Sequence, residues 1–149
     1  MINIRKAAPE DAEALYELYS RHLRENPVKE DRDLSLWQKK IARFQNDPSY
    51  YLLVGEIDGR IVSTATLVII ENLTHEARPY AVIENVVTHA DHRNRHYATA
   101  LMDKAGEIAS GLNCYKIMLM TGSKKESTQK FYENCGFNKN DKTAFIRWL

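Results

Sequence analysis

The apolar pattern along this chain switches between two periods. The opening "INIRKA" alternates apolar with polar residues, the period of a half-buried strand. Pro9, Glu10 and Asp11 follow as a helix first turn, where proline's missing N–H costs nothing and acidic side chains suit the dipole. Ala12, Leu15, Tyr16, Tyr19 and Leu23 then recur at helical spacing. The polar "RENPVKEDRD" predicts a mobile loop. A second helix places Leu34, Trp37, Ile41 and Phe44 on one face, and "NDPS" stops it. "YYLLVGEI" and "RIVSTATLVII" flank Asp58-Gly59, a hairpin signal because both central positions of a type I′ turn need positive φ. "ENLTHEARP" reads as a loop and "YAVIENVVT" as a strand. "RHYATALMDKAGEIASGL" predicts a helix with Tyr97, Leu101, Ala105, Ile108 and Leu112 turned inward. "CYKIMLMT" predicts a short strand, "KESTQKFYENCGF" a helix closed by Gly136, and "KTAFIRWL" a last strand.

The resulting order is β-α-α-β-β-β-α-β-α-β over one domain, residues 1–149. An early hairpin combined with a late βαβ unit predicts an α/β fold, a mixed sheet carrying helices on both faces. The unit from Tyr80 to Met120 should be a right-handed parallel crossover. No internal repeat or low-complexity linker interrupts the pattern.

Composition narrows the function. The formal net charge of +1 gives no global attraction to nucleic acid or to an anionic membrane. No apolar run approaches the roughly 20 residues that span a bilayer, and the N-terminus has no signal-peptide core. These features predict a cytoplasmic protein. Cys114 and Cys135 lie far apart, without CxxC or Cys/His ligand spacing, and read as structural thiols. His22, His75, His89, His92 and His96 are scattered too, so no metal site is expected.

"HRNRHYATAL" connects the strand ending near Thr88 to the amphipathic helix. A helix N-terminus offers unpaired N–H groups and partial positive charge, which suit a phosphate. Such turns commonly use glycine where φ is positive. This one has none, and Asn94 and His96 are the residue types that best tolerate that conformation.

Three segments, "IENVVTHADHRNRHYATAL", "CYKIMLMTGS" and "KFYENCGF", together resemble the GCN5-related N-acetyltransferase (GNAT) superfamily. The likeness covers essentially the whole chain and is strongest from Tyr80 to Phe137. The family's pyrophosphate pattern, Arg/Gln-x-x-Gly-x-Gly/Ala, falls on Arg93-Asn94-Arg95-His96-Tyr97-Ala98, with His96 in the central glycine position. The resemblance implies acetyl-CoA as cosubstrate and no metal. It places the diphosphate on Arg93, Asn94, Arg95, His96, Tyr97, Ala98 and Thr99, and the pantetheine arm and thioester along the backbone of Val86, Val87 and Thr88.

It also implies direct attack by a primary amine in a ternary complex. An amine with an ordinary pKa near 10.4 must first lose a proton. Glu84 is the candidate base, with His89 as its rival. The Val87 N–H is the expected oxyanion donor, and Tyr132, matching the family's "FYE" tyrosine, the candidate acid. Lys124, Lys125 and Lys130 are candidates for the 3′-phosphate. The second helix (Leu34, Trp37, Ile41) and the loop Glu71 to Pro79 are the expected acceptor walls, with residues 26–37 as a lid carrying Glu30, Asp31 and Asp33. The expected acceptor is a small-molecule amine bearing an acidic group, with Arg78 as its contact. A protein or peptide acetyltransferase and a catalytically weakened acyl-CoA-binding domain stay open as alternatives. No nucleic-acid or membrane partner is expected, and "TAFIRWL" could pair across a homodimer.

Overall fold

One sheet carries Glu84, Val86, Val87 and Thr88, and the helices and turns around it carry the other candidate residues. The computed structural model describes residues 1–23 and 33–149. Strands β1 (Asn3–Lys6), β2 (Tyr50–Ile57), β3 (Arg60–Ile70), β4 (Tyr80–Thr88) and β5 (Ile117–Leu119) lie side by side in that order. The first three junctions are antiparallel; β4 and β5 are parallel. Asp58 (φ 49°) and Gly59 (φ 75°) make the expected left-handed turn between β2 and β3.

Alternation along the strands sorts the core onto two faces. Leu52 and Val54 pack with Leu15 and Ile41, under helices α1 (Ala12–Leu18) and α2 (Leu34–Asn46). Leu53, Leu67 and Ile83 pack with Leu101 under α3 (Tyr97–Gly111). Helix α4 (Glu126–Asn134) covers the same face through Phe131 and Tyr132. The period-2 pattern therefore gives each sheet face its own hydrophobic layer. The N-terminal strand is tied to the first helical turn by Asp11, which accepts hydrogen bonds from Arg5 Nη1 (2.6 Å), Arg5 Nη2 (3.0 Å) and the Ala8 N–H (2.8 Å).

Several elements depart from the expected pattern. The first helix widens into a π-turn at Tyr19–Leu23. The inward face of α3 is Leu101, Met102, Ala105 and Ala109, while Leu112 is 40% exposed. The helix is rotated so that adjacent positions 101 and 102 share the contact with the sheet. The loop after β3 contains His75, Glu76 and Ala77, all at positive φ. β5 is shorter than its apolar run because Cys114 N donates to Ala109 O and Tyr115 N to Pro79 O, leaving the ladder to begin at Ile117.

The predicted last strand, residues 142–149, does not form, so the observed order ends in α4. A strand needs a neighbour for its ladder, and β5 offers only Ile117–Leu119. Phe145, Ile146 and Trp148 stay exposed instead.

Candidate active site

The site begins where two parallel strands part. β4 and β5 pair at Ala81–Ile117, Val82–Met118 and Ile83–Leu119. β4 then runs on to Thr88 while the chain leaves β5 after Leu119. Among the described residues, the β5-facing edge of β4 therefore has no partner strand from Glu84 onward. An open edge of this kind presents backbone groups to an amide-bearing ligand as a neighbouring strand would.

A bulge re-aims the strand at that point. The β3–β4 register passes from Thr66–Glu84 to Thr64–Val87, and Asn85 takes φ 52°. The bulge inserts an extra residue and bends the strand. Asparagine is among the side chains that tolerate this backbone best. The bulge was not anticipated, although an Asn inside an otherwise apolar strand was its signal.

A cavity of about 1000 Å³ occupies the splay. Glu84, Asn85 and Val86 line one side, Leu119 to Lys125 the other, and Tyr132 and Trp148 complete it. Glu84 and Tyr132, drawn from distant parts of the sequence, thus share one chamber. Burial pushes the Tyr132 hydroxyl up, and the charges of Cys135 and Glu84 add to this. The phenol is a proton donor at neutral pH.

A second cavity, about 210 Å³, lies on the α1/α2 face. Of the expected acceptor walls Leu34, Trp37 and Ile41, the last two line it and Leu34 does not; Leu15, Tyr19, Phe44, Tyr50 and Thr66 join them. Asn85 lines both cavities, so the bulge is their common wall. Burial pushes the Tyr50 hydroxyl up against the opposing pull of Thr66, and the charge of Glu84 adds to the rise. Glu84 therefore acts on a tyrosine of each cavity.

The turn before α3 has the backbone that its missing glycines would supply. Asn94 takes φ 58°, and His96, the N-cap of α3, takes φ 62° and ψ 16°. The Ala100 N–H is bonded to His96 O (3.0 Å). The N–H groups of the preceding turn, Tyr97 to Thr99, have no earlier helical carbonyl to meet. His92 Nδ1 is buried without a hydrogen-bond partner among the described residues. Free N–H groups, a left-handed turn and an orphaned imidazole nitrogen together fit an anionic diphosphate.

Other candidates lie elsewhere. Arg93 Nε donates back to Thr88 O (3.2 Å). The Val87 carbonyl accepts from Ser63 Oγ (3.1 Å), and Ser63 Oγ also pairs with the Thr88 hydroxyl (2.8 Å). These two residues and the turn at 93–99 fall outside the lining of the large cavity. His89 lines neither cavity and faces His22, the ring centroids 4.3 Å apart. Lys124 and Lys125 line the large cavity, whereas Lys130 pairs with Glu126 at 2.8 Å. The loop 71–79 borders neither cavity. Arg78 donates to the Asn113 and Cys114 carbonyls rather than facing an acceptor. Asp33 caps α2 by accepting from the Leu36 N–H and Ser35 Oγ. Glu30 and Asp31, expected on the lid, lie outside the described residues.

Known proteins share this arrangement. A putative acetyltransferase from Agrobacterium tumefaciens is 39% identical and superposes with a TM-score of 0.85 over 98% of this chain and 99% of its own. A glucosamine 6-phosphate N-acetyltransferase from Trypanosoma brucei brucei is 33% identical over 84 residues, 56% of this chain. The chain spans about half, 55%, of the length of that curated relative. The glucosamine-6-phosphate N-acetyltransferase of Arabidopsis thaliana shares the fold, with a TM-score of 0.81 at 18% identity over 99% of this chain and 98% of its own. The model of the acetyltransferase (GNAT) family matches residues 12–137, which include the turn before α3 and every lining residue of both cavities except Trp148, and the chain belongs to that family.

Proposed function

We propose that this acetyltransferase moves the acetyl group of acetyl-CoA to the primary amine of a small molecule. The observation that carries it is the large cavity, in which the unpaired edge Glu84–Val86 meets Tyr132. When bound, acetyl-CoA supplies a thioester carbonyl: a C–N bond forms, the C–S bond breaks, sulfur leaves as thiol, and the ammonium's second lost proton passes to solvent.

The chain's residues manage protons and position. The diphosphate lies on the N–H groups of Tyr97, Ala98 and Thr99, with Arg93, Asn94, Arg95 and His96 shaping and charging the turn. The pantetheine arm runs along β4 at Val86, Val87 and Thr88. Glu84 takes a proton from the incoming ammonium, directly or through water, so that the nitrogen lone pair becomes available. The developing oxyanion takes its hydrogen bond from the open edge of β4; the Val87 N–H expected there points the other way, towards Thr64 of β3, as the His89 N–H bonded to Val62 O does two residues on. Tyr132, protonated at neutral pH, gives its hydroxyl proton to the departing sulfur.

In the same reading the molecule pairs with a second copy through residues 142–149. Phe145, Ile146 and Trp148 are exposed there, and among the described residues the outer edge of β5 has no partner in the sheet. Light scattering should give twice the monomer mass; a monomer at micromolar concentration refutes the pairing. The cytoplasm is the proposed location, in keeping with the unpaired Cys114 and Cys135. No helix among the described residues is long and apolar enough to cross a membrane.

The decisive experiment is release of free thiol from acetyl-CoA across a panel of primary amines. Amine-dependent release is expected. Its absence with every amine, at saturating acetyl-CoA, refutes the proposal.

A further inference from the structure

We infer that the acceptor carries its primary amine on an apolar, aryl-sized body, and that this body lies in the 210 Å³ cavity between α1, α2 and the sheet. The inference rests on the acetyl-transfer reading and adds the substrate class to it. Position comes first. Asn85 is shared by the small cavity and the chamber of Glu84 and Tyr132. A ligand seated in the small cavity therefore reaches the chemistry by extending past the bulge.

The walls choose the ligand. Leu15, Tyr19, Trp37, Ile41, Phe44 and Tyr50 present side-chain carbon. The tyrosine hydroxyls lie towards the threonines of β3, Tyr19 near Thr64 and Thr66, Tyr50 near Thr66. What remains for a ligand is mostly ring face and aliphatic surface. The rings are also held in place. Trp37 meets Tyr16 edge-on at 5.4 Å and Tyr19 at 5.9 Å, and Phe44 stacks on Tyr50 at 4.0 Å. A pocket already rigid loses little freedom when filled. Its volume suits a phenyl group with a short linker, since an apolar cavity of about 150 Å³ admits benzene.

Charge argues against the acidic acceptor expected from sequence. Among the described residues no carboxylate lines the cavity, and its single cation, Lys40, is exposed. A sugar phosphate pressed against aromatic walls would lose hydration without a set of donors to replace it. A polyamine's second ammonium would find Lys40 and no counter-charge.

Calorimetry on the protein saturated with coenzyme A, which binds amines without turnover, tests this. 2-Phenylethylamine should bind more tightly than glucosamine 6-phosphate or spermidine. Affinity for straight-chain alkylamines should rise about fourfold per methylene until the cavity is full. A flat alkylamine series, or tighter binding of either polar amine, overturns the inference. Trp37→Ala should lower the affinity for 2-phenylethylamine at least about tenfold; should it not fold, the series on the unaltered protein decides alone. Thiol release separates the two proposals. If 2-phenylethylamine binds but no amine is acetylated, acetyl transfer fails and the pocket stands. If the aminosugar is acetylated and arylalkylamines are not, the pocket fails and acetyl transfer stands.

Discussion

Tyr132 and His96 show two ways in which a single side chain is constrained by this fold. Tyr132 sits where burial disfavours its anion, with Glu84 nearby adding to the effect. A hydroxyl that stays protonated can donate to a thiolate. Tyr132→Phe should therefore lower kcat about a hundredfold with little change in acetyl-CoA affinity by calorimetry; unchanged turnover at every pH would remove the acid role. His96 instead answers to the backbone, holding φ 62° at the N-cap of α3. His96→Gly should leave stability to urea within about 1 kcal/mol. His96→Val places a branched Cβ in the same conformation and should cost about 1–2 kcal/mol.

Elements meet in this molecule through a few specific anchors, and Asp11 is the clearest at the N-terminus. Burial alone would raise its pKa, but the hydrogen bonds from Arg5 and the Ala8 N–H outweigh that, so the carboxyl titrates below its ordinary value of 3.8. A folded pKa below the unfolded one contributes stability in full above the ordinary value, and this is lost as pH falls through the folded one. Asp11→Asn should lower stability at neutral pH and flatten the acid limb below about pH 4, as read from urea melts at stepped pH. Should the slope below pH 4 stay as steep as in the unaltered protein, another carboxylate controls it. The widened turn Tyr19–Leu23 acts at the same scale: it ends the helix that carries Leu15 and Tyr19 into the small cavity.

For the molecule as a whole, the two hydrophobic layers support different parts of the site. Leu101, the fully buried side chain on the inner face of α3, belongs to the layer that positions the turn before α3 and the splay. Leu101→Ala should cost about 2–5 kcal/mol in denaturant unfolding, and acetyl-CoA affinity should weaken as α3 loosens. Stability within 1 kcal/mol of the parent would mean that the layer collapses to fill the gap. Leu15 and Ile41 belong to the other layer, next to the proposed acceptor cavity. In the proposed reading, donor and acceptor sites meet at the Asn85 bulge, which lines both cavities.

Much of this was legible in sequence because it is local. Alternation located the first four strands, Asp58-Gly59 the hairpin, and the run from Glu84 to Ala98 the turn with its two left-handed residues. These features depend on neighbours a few positions apart, where backbone preference and apolar period suffice. The acceptor cavity was legible only in part. Trp37 and Ile41 were expected walls, but Leu15, Tyr50, Thr66 and Asn85 come together through packing of separate elements. The loop 71–79 shared the right composition for an acceptor wall but packs at Asn113 and Tyr115 instead. The last strand had a suitable pattern and lacked a neighbour, because β5 ends at Leu119. Sequence by itself determined the first four strands, the hairpin turn, the left-handed turn before α3 and the family likeness. Tertiary structure decided which strands part, where β4 bulges and which side chains enclose a ligand, because each depends on contacts between residues far apart in the chain.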